Sequence, residues 1–396
     1  MKRARPIFGV SAAALAALVP WLASSCATTQ DAVSSRDDAA TPVPDLDAGV
    51  DAAEAAVDGG CDAADPSCVT KPISCDEAAW CPVQTGVSSL YALVAVSGSS
   101  KTDVWAVGSG GTIVHWDGVA WTATPTGLKN TFHAVWARGA NEVWAVSSTD
   151  AILHSGGFAG GEATWEREPS PTDEWNVAPL YAIWGDAAGH LRLGGRSYNL
   201  FEPNGDFGPG NQFVRETADG GAAWIGVKGT ATVHGIWGSS ADDLWIVGDN
   251  SPWVSWQLGY TAHGTRSGGE ITWTEVDSQA SVMLEAVWGS GPGDVWAVGD
   301  KGTIRHITAG ATQWAIVRSP TTEALHAIWG SGPGDVWAVG EEGTILHYDG
   351  KAWKPSVAAF PVGKKKPHLY GVWGSGPDDV WIVGDGIALH HTGGAK

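Results

Sequence analysis

Histidine and aspartate recur through this 396-residue chain at intervals that invite a chemical reading. His115, His154, His306, His347 and His390 each close a short apolar run of the type GTILH, and Asp103, Asp243, Asp294, Asp335 and Asp379 each stand just ahead of a run of the type VWAVG. A second set, His133, His234 and His326, lies three residues before a tryptophan. Imidazole beside carboxylate is the equipment of general acid–base catalysis, and converging imidazoles hold transition metals. The regularity argues against both. A group that returns at the same turn of every copy serves the copy, so the aspartates are expected to accept hydrogen bonds from turn amides. The third-strand histidines are expected to lie each in its own unit. No catalytic residue and no metal site is assigned. The set of His133, His234 and His326 is different, because it falls on the segment expected to line a central channel.

The elements that position these residues are visible in Leu325 to Trp353, LHAIWGSGPGDVWAVGEEGTILHYDGKAW. Four runs of β-formers are separated by GSGPGD, EEG and DG, which is what four short antiparallel strands with tight turns require. Copies align on a tryptophan pair: Ser97 with Trp105, Trp136 with Trp144, Trp184 with Leu191, Trp237 with Trp245, Trp288 with Trp296, Trp329 with Trp337 and Trp373 with Trp381. All but the last end in a third tryptophan: Trp121, Trp165, Trp224, Trp273, Trp314 and Trp353. Seven copies roughly forty to fifty residues apart, with no helical periodicity, predict an all-β fold, a seven-bladed β-propeller of four-stranded antiparallel blades.

Most of the 24 tryptophans sit at these repeat positions, where flat rings fill the wedge between neighbouring sheets and small residues beside them leave room. The seventh copy stops at His391 before a fourth strand, while DEAAW, Asp76 to Trp80, matches DGKAW, Asp349 to Trp353. An open ring would leave two unpaired sheet edges. The N-terminal strand around Trp80 is therefore expected to complete the last blade, with the propeller spanning residues 86–396.

Before the repeats, residues 1–25 read as an export signal: Lys2, Arg3 and Arg5, then an apolar run from Ile7 to Val19 too short to span a bilayer permanently. Ala23, Ser24, Ser25 and Cys26 resemble a bacterial lipobox, which implies acylation of Cys26 and an outer-membrane or cell-surface location; ordinary cleavage to a secreted soluble product is the alternative. Residues 26–65 form an acidic Ala/Asp-rich tether without aromatics, unable to bury enough surface to order itself. Residues 66–85 are a lead-in. Cys61, Cys68, Cys75 and Cys81 are an even, clustered set in an exported chain, read as two disulfides with three connectivities open. Their spacings lack the close pairs of a zinc ribbon.

The run GTILHYDGKAW is similar to BNR or Asp-box propeller repeats and to the propellers of photosystem assembly factors, whose blades read WAVG, GTIL and DGG. VWAVGSGGTIVHWDGVAW, Val104 to Trp121, resembles a tectonin repeat. Resemblance covers residues 76 to 391 and implies a propeller rather than any one activity. The first likeness implies a protein-interaction platform, the second a lectin. A BNR-type glycosidase is the remotest reading, since a sialidase-like site needs an arginine cluster and the arginines are scattered. No GxSxG, HExxH or P-loop occurs, and the chain is expected to be non-catalytic and free of cofactors.

Long insertions are expected between the third strand and the closing tryptophan in copies two to four: Ser155 to Thr164, Glu202 to Ala223 and Gln257 to Thr272. Trp175, Tyr198, Trp253 and Tyr260 lie off the repeat, and Trp116, Trp256 and Tyr348 share a third-strand position. Candidate ligand-binding residues are thus Trp116, Trp175, Tyr198, Trp253, Trp256, Tyr260, His133, His234 and His326. A net charge of −20 disfavours nucleic acid and anionic membrane surfaces. A protein partner or a neutral glycan at the cell envelope is expected, with membrane contact only through a lipid anchor and the chain a monomer.

Overall fold

In the computed structural model the described residues are 61–62, 64–147, 151–169, 179–196, 212–218, 221–227, 231–249 and 259–393, all within the unit Asp58–Lys396. The signal, Cys26 and nearly all of the tether lie outside them. The chain forms seven sheets of four antiparallel strands, arranged as a seven-bladed propeller. In blade 6 the strands are Leu325–Gly332, Asp335–Gly340, Ile345–Tyr348 and Trp353–Pro355, in that order from the axis outward.

Closure occurs at the predicted seam. Cys81–Pro82 forms the outer strand of blade 7, pairing antiparallel with Ile387–His391 through Cys81 opposite His390. Trp80, immediately before it, is fully buried between blades 6 and 7. Cys61 pairs with Cys68 and Cys75 with Cys81 at disulfide distance. The lead-in also lies along the loop before blade 7, with Val69 and Gly363 bonded through their backbones and Asp65 ion-paired to Lys365.

One packing rule joins the blades. In six of the seven joints the closing tryptophan of a blade stands edge-on against the second-strand tryptophan of the blade before it; the joint between blades 3 and 4 is the exception, because blade 3 has no second-strand tryptophan. Centroid distances run from 4.9 to 6.0 Å for Trp121 on Trp381, Trp165 on Trp105, Trp224 on Trp144, Trp314 on Trp245, Trp353 on Trp296 and Trp80 on Trp337. This edge-to-face geometry suits the ring quadrupoles. Trp80 therefore stands in for the tryptophan that the seventh copy lacks. Its Nε1 donates to Ser356 Oγ (3.1 Å), as Trp165 Nε1 donates to Thr124 Oγ1 (3.2 Å) at the corresponding joint.

The glycine after the first tryptophan is a packing requirement, because a Cβ on Gly330 would come within 2.6 Å of the Trp288 ring in the preceding blade. That on Gly340 would meet the Ala324 carbonyl oxygen at 1.8 Å, which fixes the glycine ending VWAVG.

Two expectations from alignment need correction. In blade 3 the residue opposite Trp184 is Arg192, not Leu191, so a buried guanidinium replaces the second-strand tryptophan. The insertions of blades 3 and 4 also precede the third strand. Gln212–Ala218 and Gly259–Ser267 run directly into hairpins with Gly221–Val227 and Glu270–Glu275. The extra residues thus fall at 197–211 and 250–258, because long, non-repeating third strands there dilute the turn signals used for alignment. The blade 2 insertion does follow its third strand, Ile152–Ser155.

Candidate functional site

Six of the seven innermost hairpins carry two β-bulges and that of blade 3 carries one, and the bulges divide the recurrent polar residues into two classes. Toward the lower face, where first strands turn into second, the bulged residue is Ser99, Ser239, Ser290, Ser331 or Ser375 in five blades. Each hydroxyl donates to the aspartate that opens the second strand of its own blade, at 2.5 Å in Ser99, Ser239, Ser290 and Ser375. The other carboxylate oxygen meets a third-strand histidine: His115 with Asp103, His263 with Asp243, His306 with Asp294, His347 with Asp335 and His390 with Asp379, at 2.5 to 2.9 Å.

These aspartates therefore bond side chains rather than the turn amides expected of them. The histidine in turn lies against the second-strand tryptophan of its own blade, and His154 of blade 2 does the same, with centroids 3.8 to 4.4 Å apart in six blades. Burial alone would raise the Asp335 carboxyl, but hydrogen bonds from His347 and Ser331 outweigh it and hold the group below its ordinary value. Blade 2 substitutes a bulged Arg138 paired with Glu142. His263 belongs to this set and was missed, because the displaced third strand of blade 4 hides it from alignment.

At the upper face the other bulge leaves one residue per blade out of the ladder: Val94, His133, Tyr181, His234, Glu285, His326 and Tyr370. The residue before it is always a buried apolar one, from Leu93 to Leu369. A bulge re-aims its side chain, and first strands of adjacent blades contact one another around the axis, so these seven form a ring at the channel mouth. All are half-buried.

Unlike the lower set, they interact across blades. His133 meets Tyr181 edge-on at 5.4 Å, Tyr181 stacks on His234 at 5.1 Å with planes 3° apart, and His234 Nδ1 lies 3.6 Å from Glu285 Oε2. His234 Nε2 also reaches Asp249 Oδ2 at 3.0 Å, and Tyr370 donates to Asp385 at 3.4 Å while lying 5.4 Å from His326. Burial lowers the imidazoles of His133 and His326, raises the carboxyl of Glu285, and with Asp385 pushes the Tyr370 phenol up to about 12. Around the ring, Asp249 ends the second strand of blade 4, and Asp300, Glu341 and Asp385 follow those of blades 5 to 7. The mouth is aromatic-walled and acidic.

Of the sequence candidates, His133, His234 and His326 come together here; Tyr181, Glu285 and Tyr370 complete the ring. The only sequence signal for those three was their register with the histidines. Trp116 lies instead between blades 7 and 1, 4.9 Å from Trp381, and Tyr348 takes the same place over Trp296. Tyr260 packs against the core between blades 3 and 4, where burial raises its phenol. Trp175, Tyr198, Trp253 and Trp256 lie outside the described residues. The blade 4 position equivalent to Trp116 is Gly264, opposite Leu244, so Trp256 does not share it. Among the described residues no group of three or more His, Cys, Asp or Glu side chains is arranged to hold a metal ion, and no helix is long and apolar enough to cross a membrane.

No family model matches the chain, and no curated protein does. Solved propellers are similar in fold. YCF48 bound to D1 peptide is 20% identical with a TM-score of 0.59, covering 81% of this chain and 99% of that one. YCF48 from Cyanidioschyzon merolae is 17% identical at a TM-score of 0.55, covering 79% and 98%. The WD40 β-propeller domain of Doa1 is 11% identical at 0.53, covering 76% and 92%.

Proposed function

We propose that this chain is a non-catalytic binding platform that takes a basic polypeptide segment at the upper mouth of its channel. The observation that carries the reading is the upper bulge. The bulge recurs in all seven blades and the residue before it is always buried and apolar, yet this one position holds Val, His, Tyr, His, Glu, His and Tyr in turn. Packing does not ask for that variety, and side chains facing one another across blades make a composite surface. Phenol, imidazole and carboxylate groups with Asp249, Asp300, Glu341 and Asp385 around them suit lysine or arginine side chains, through charge and through contact with aromatic faces. A YCF48 propeller solved with a D1 peptide gives precedent for a peptide on this fold.

An array of synthetic peptides of equal length, graded from acidic to basic, tests the reading on the immobilised protein. Basic peptides should be retained, and Glu285→Gln with Asp249→Asn should release them. Equal retention of acidic and basic peptides would sink it.

We further propose that the platform is a lipoprotein at the cell surface. The leader, the lipobox-like Ala23 to Cys26 and the two paired sets of cysteines support export. Cys26→Ser should move the protein from the membrane fraction to the soluble one; a membrane fraction unchanged by that substitution would refute the anchor.

A further inference from the structure

A second surface lies on the flank of the ring, away from the channel mouth, and it goes beyond the reading above. Where blade 6 meets blade 5, a groove of about 670 Å³ opens over the stacked pair Trp296 and His306. Its walls include Val317 on one side and Tyr348 on the other, with Arg318 and Lys351 exposed at the rim.

The corresponding joint between blades 1 and 2 is filled. There the 156–164 insertion of blade 2 brings Phe158 onto His115, with ring centroids 4.2 Å apart and planes at 27°. Phe158 also stands 6.4 Å from Trp105, which occupies the place that Trp296 has in blade 5. Consequently the His115 side chain is 4% exposed, whereas that of His306 is 22% exposed.

A second difference concerns the closing tryptophans. Trp165 Nε1 donates to Thr124 at the filled joint, but the residue matching Thr124 in blade 5 is Val317, which offers no acceptor. Trp353, 6% exposed and lining the groove, keeps a buried Nε1 without a hydrogen-bond partner. A buried donor left unsatisfied is costly, so an acceptor supplied there would be favoured.

We propose that the groove between blades 5 and 6 docks an aromatic side chain carried on an acidic segment of a partner protein, in the way that Phe158 fills the joint between blades 1 and 2 from within the chain. The aromatic ring would lie on His306 and Trp296, and carboxylates beside it would meet Arg318 and Lys351. An acidic ligand also distinguishes this surface from the channel mouth, which is acidic itself.

The test is fluorescence anisotropy of a labelled peptide, EEFGGE, titrated with the full chain. Saturable binding is expected, at least tenfold weaker when Phe is replaced by Ala in the peptide and when Arg318→Glu and Lys351→Glu are combined in the protein. Both substitutions are at exposed positions and leave the core intact. No saturable binding, equal binding of the Phe and Ala peptides, or indifference to the charge reversal would each overturn the proposal. A concentration-dependent dimer that Phe158→Ala dissolves would assign the groove to the loop of a second copy, and would overturn it as well. Glu285→Gln should leave EEFGGE binding unchanged, so failure here and failure at the mouth are read separately.

Discussion

The two ends of the innermost strands present the same backbone device with opposite uses. At the lower end, bulged serines turn into their own blade, where Ser331, Asp335 and His347 close a network against Trp337. At the upper end, bulged residues turn toward the axis and meet residues of other blades, as Tyr181 meets both His133 and His234. Recurrence therefore carries different meanings at the two ends. Where residue type recurs along with position, the group maintains the repeat. Where the position recurs and the residue type does not, the fold has left a surface free to specialise.

The comparison breaks most severely if the joints between blades do not hold the ring. Trp80 belongs to the seam that closes the ring between blades 6 and 7. Trp80→Ala removes a fully buried ring, its edge contact with Trp337 and its hydrogen bond to Ser356. A loss of about 3–5 kcal/mol is expected in urea unfolding. Removing residues up to 85 should cost more and expose the edge of Ile387–His391. A truncated chain that keeps its melting temperature would show that the ring does not depend on this closure.

Next in size are the lower networks. Asp335→Ala leaves Ser331 and His347 without their shared acceptor, at a cost of about 1–3 kcal/mol. The sign with pH follows from the depressed carboxyl. Its folded-state pKa lies below the ordinary 3.8, so its stabilisation is complete above that value and is lost as pH falls through the folded pKa. Asp335→Asn should therefore narrow its deficit against the parent protein as the pH is taken below 3.8. A deficit independent of pH would remove the charge from the account.

Much of this architecture was legible in the sequence, because each blade is a closed local pattern: four β-runs, turn residues and tryptophans at fixed places. DEAAW at Asp76 to Trp80 betrayed the seam for the same reason. What escaped was whatever depends on register between strands. An insertion before a third strand displaced blade 4, and with it went His263. Arg192, occupying a tryptophan position, was passed over for its apolar neighbour Leu191. Trp116 and Tyr348 looked like spare aromatics because their role is fulfilled in the adjacent blade. The ring of the mouth was half legible: three histidines share an offset, but a bulge cannot be read from residue types, and without it Tyr181, Glu285 and Tyr370 have no reason to be grouped with them.

The smallest stability effect is expected at the upper end, and it is the most informative. His326 is half-buried, and burial holds its imidazole below its ordinary 6.5. A folded-state pKa below the unfolded one means that the native protein resists protonation. This residue therefore destabilises the fold as pH falls below 6.5 toward its folded value. Replacing it with Gln removes that liability, so His326→Gln should stay within about 0.5 kcal/mol of the parent at pH 8 and gain on it near pH 5. The same substitution should weaken retention of basic peptides at pH 8, where folding is scarcely touched. His347→Gln, in the lower network, should do the reverse: lower stability at pH 8 and leave peptide retention intact. If both variants lose stability alike and neither alters binding, the two ends of the strands differ only in geometry, and the mouth is another layer of packing.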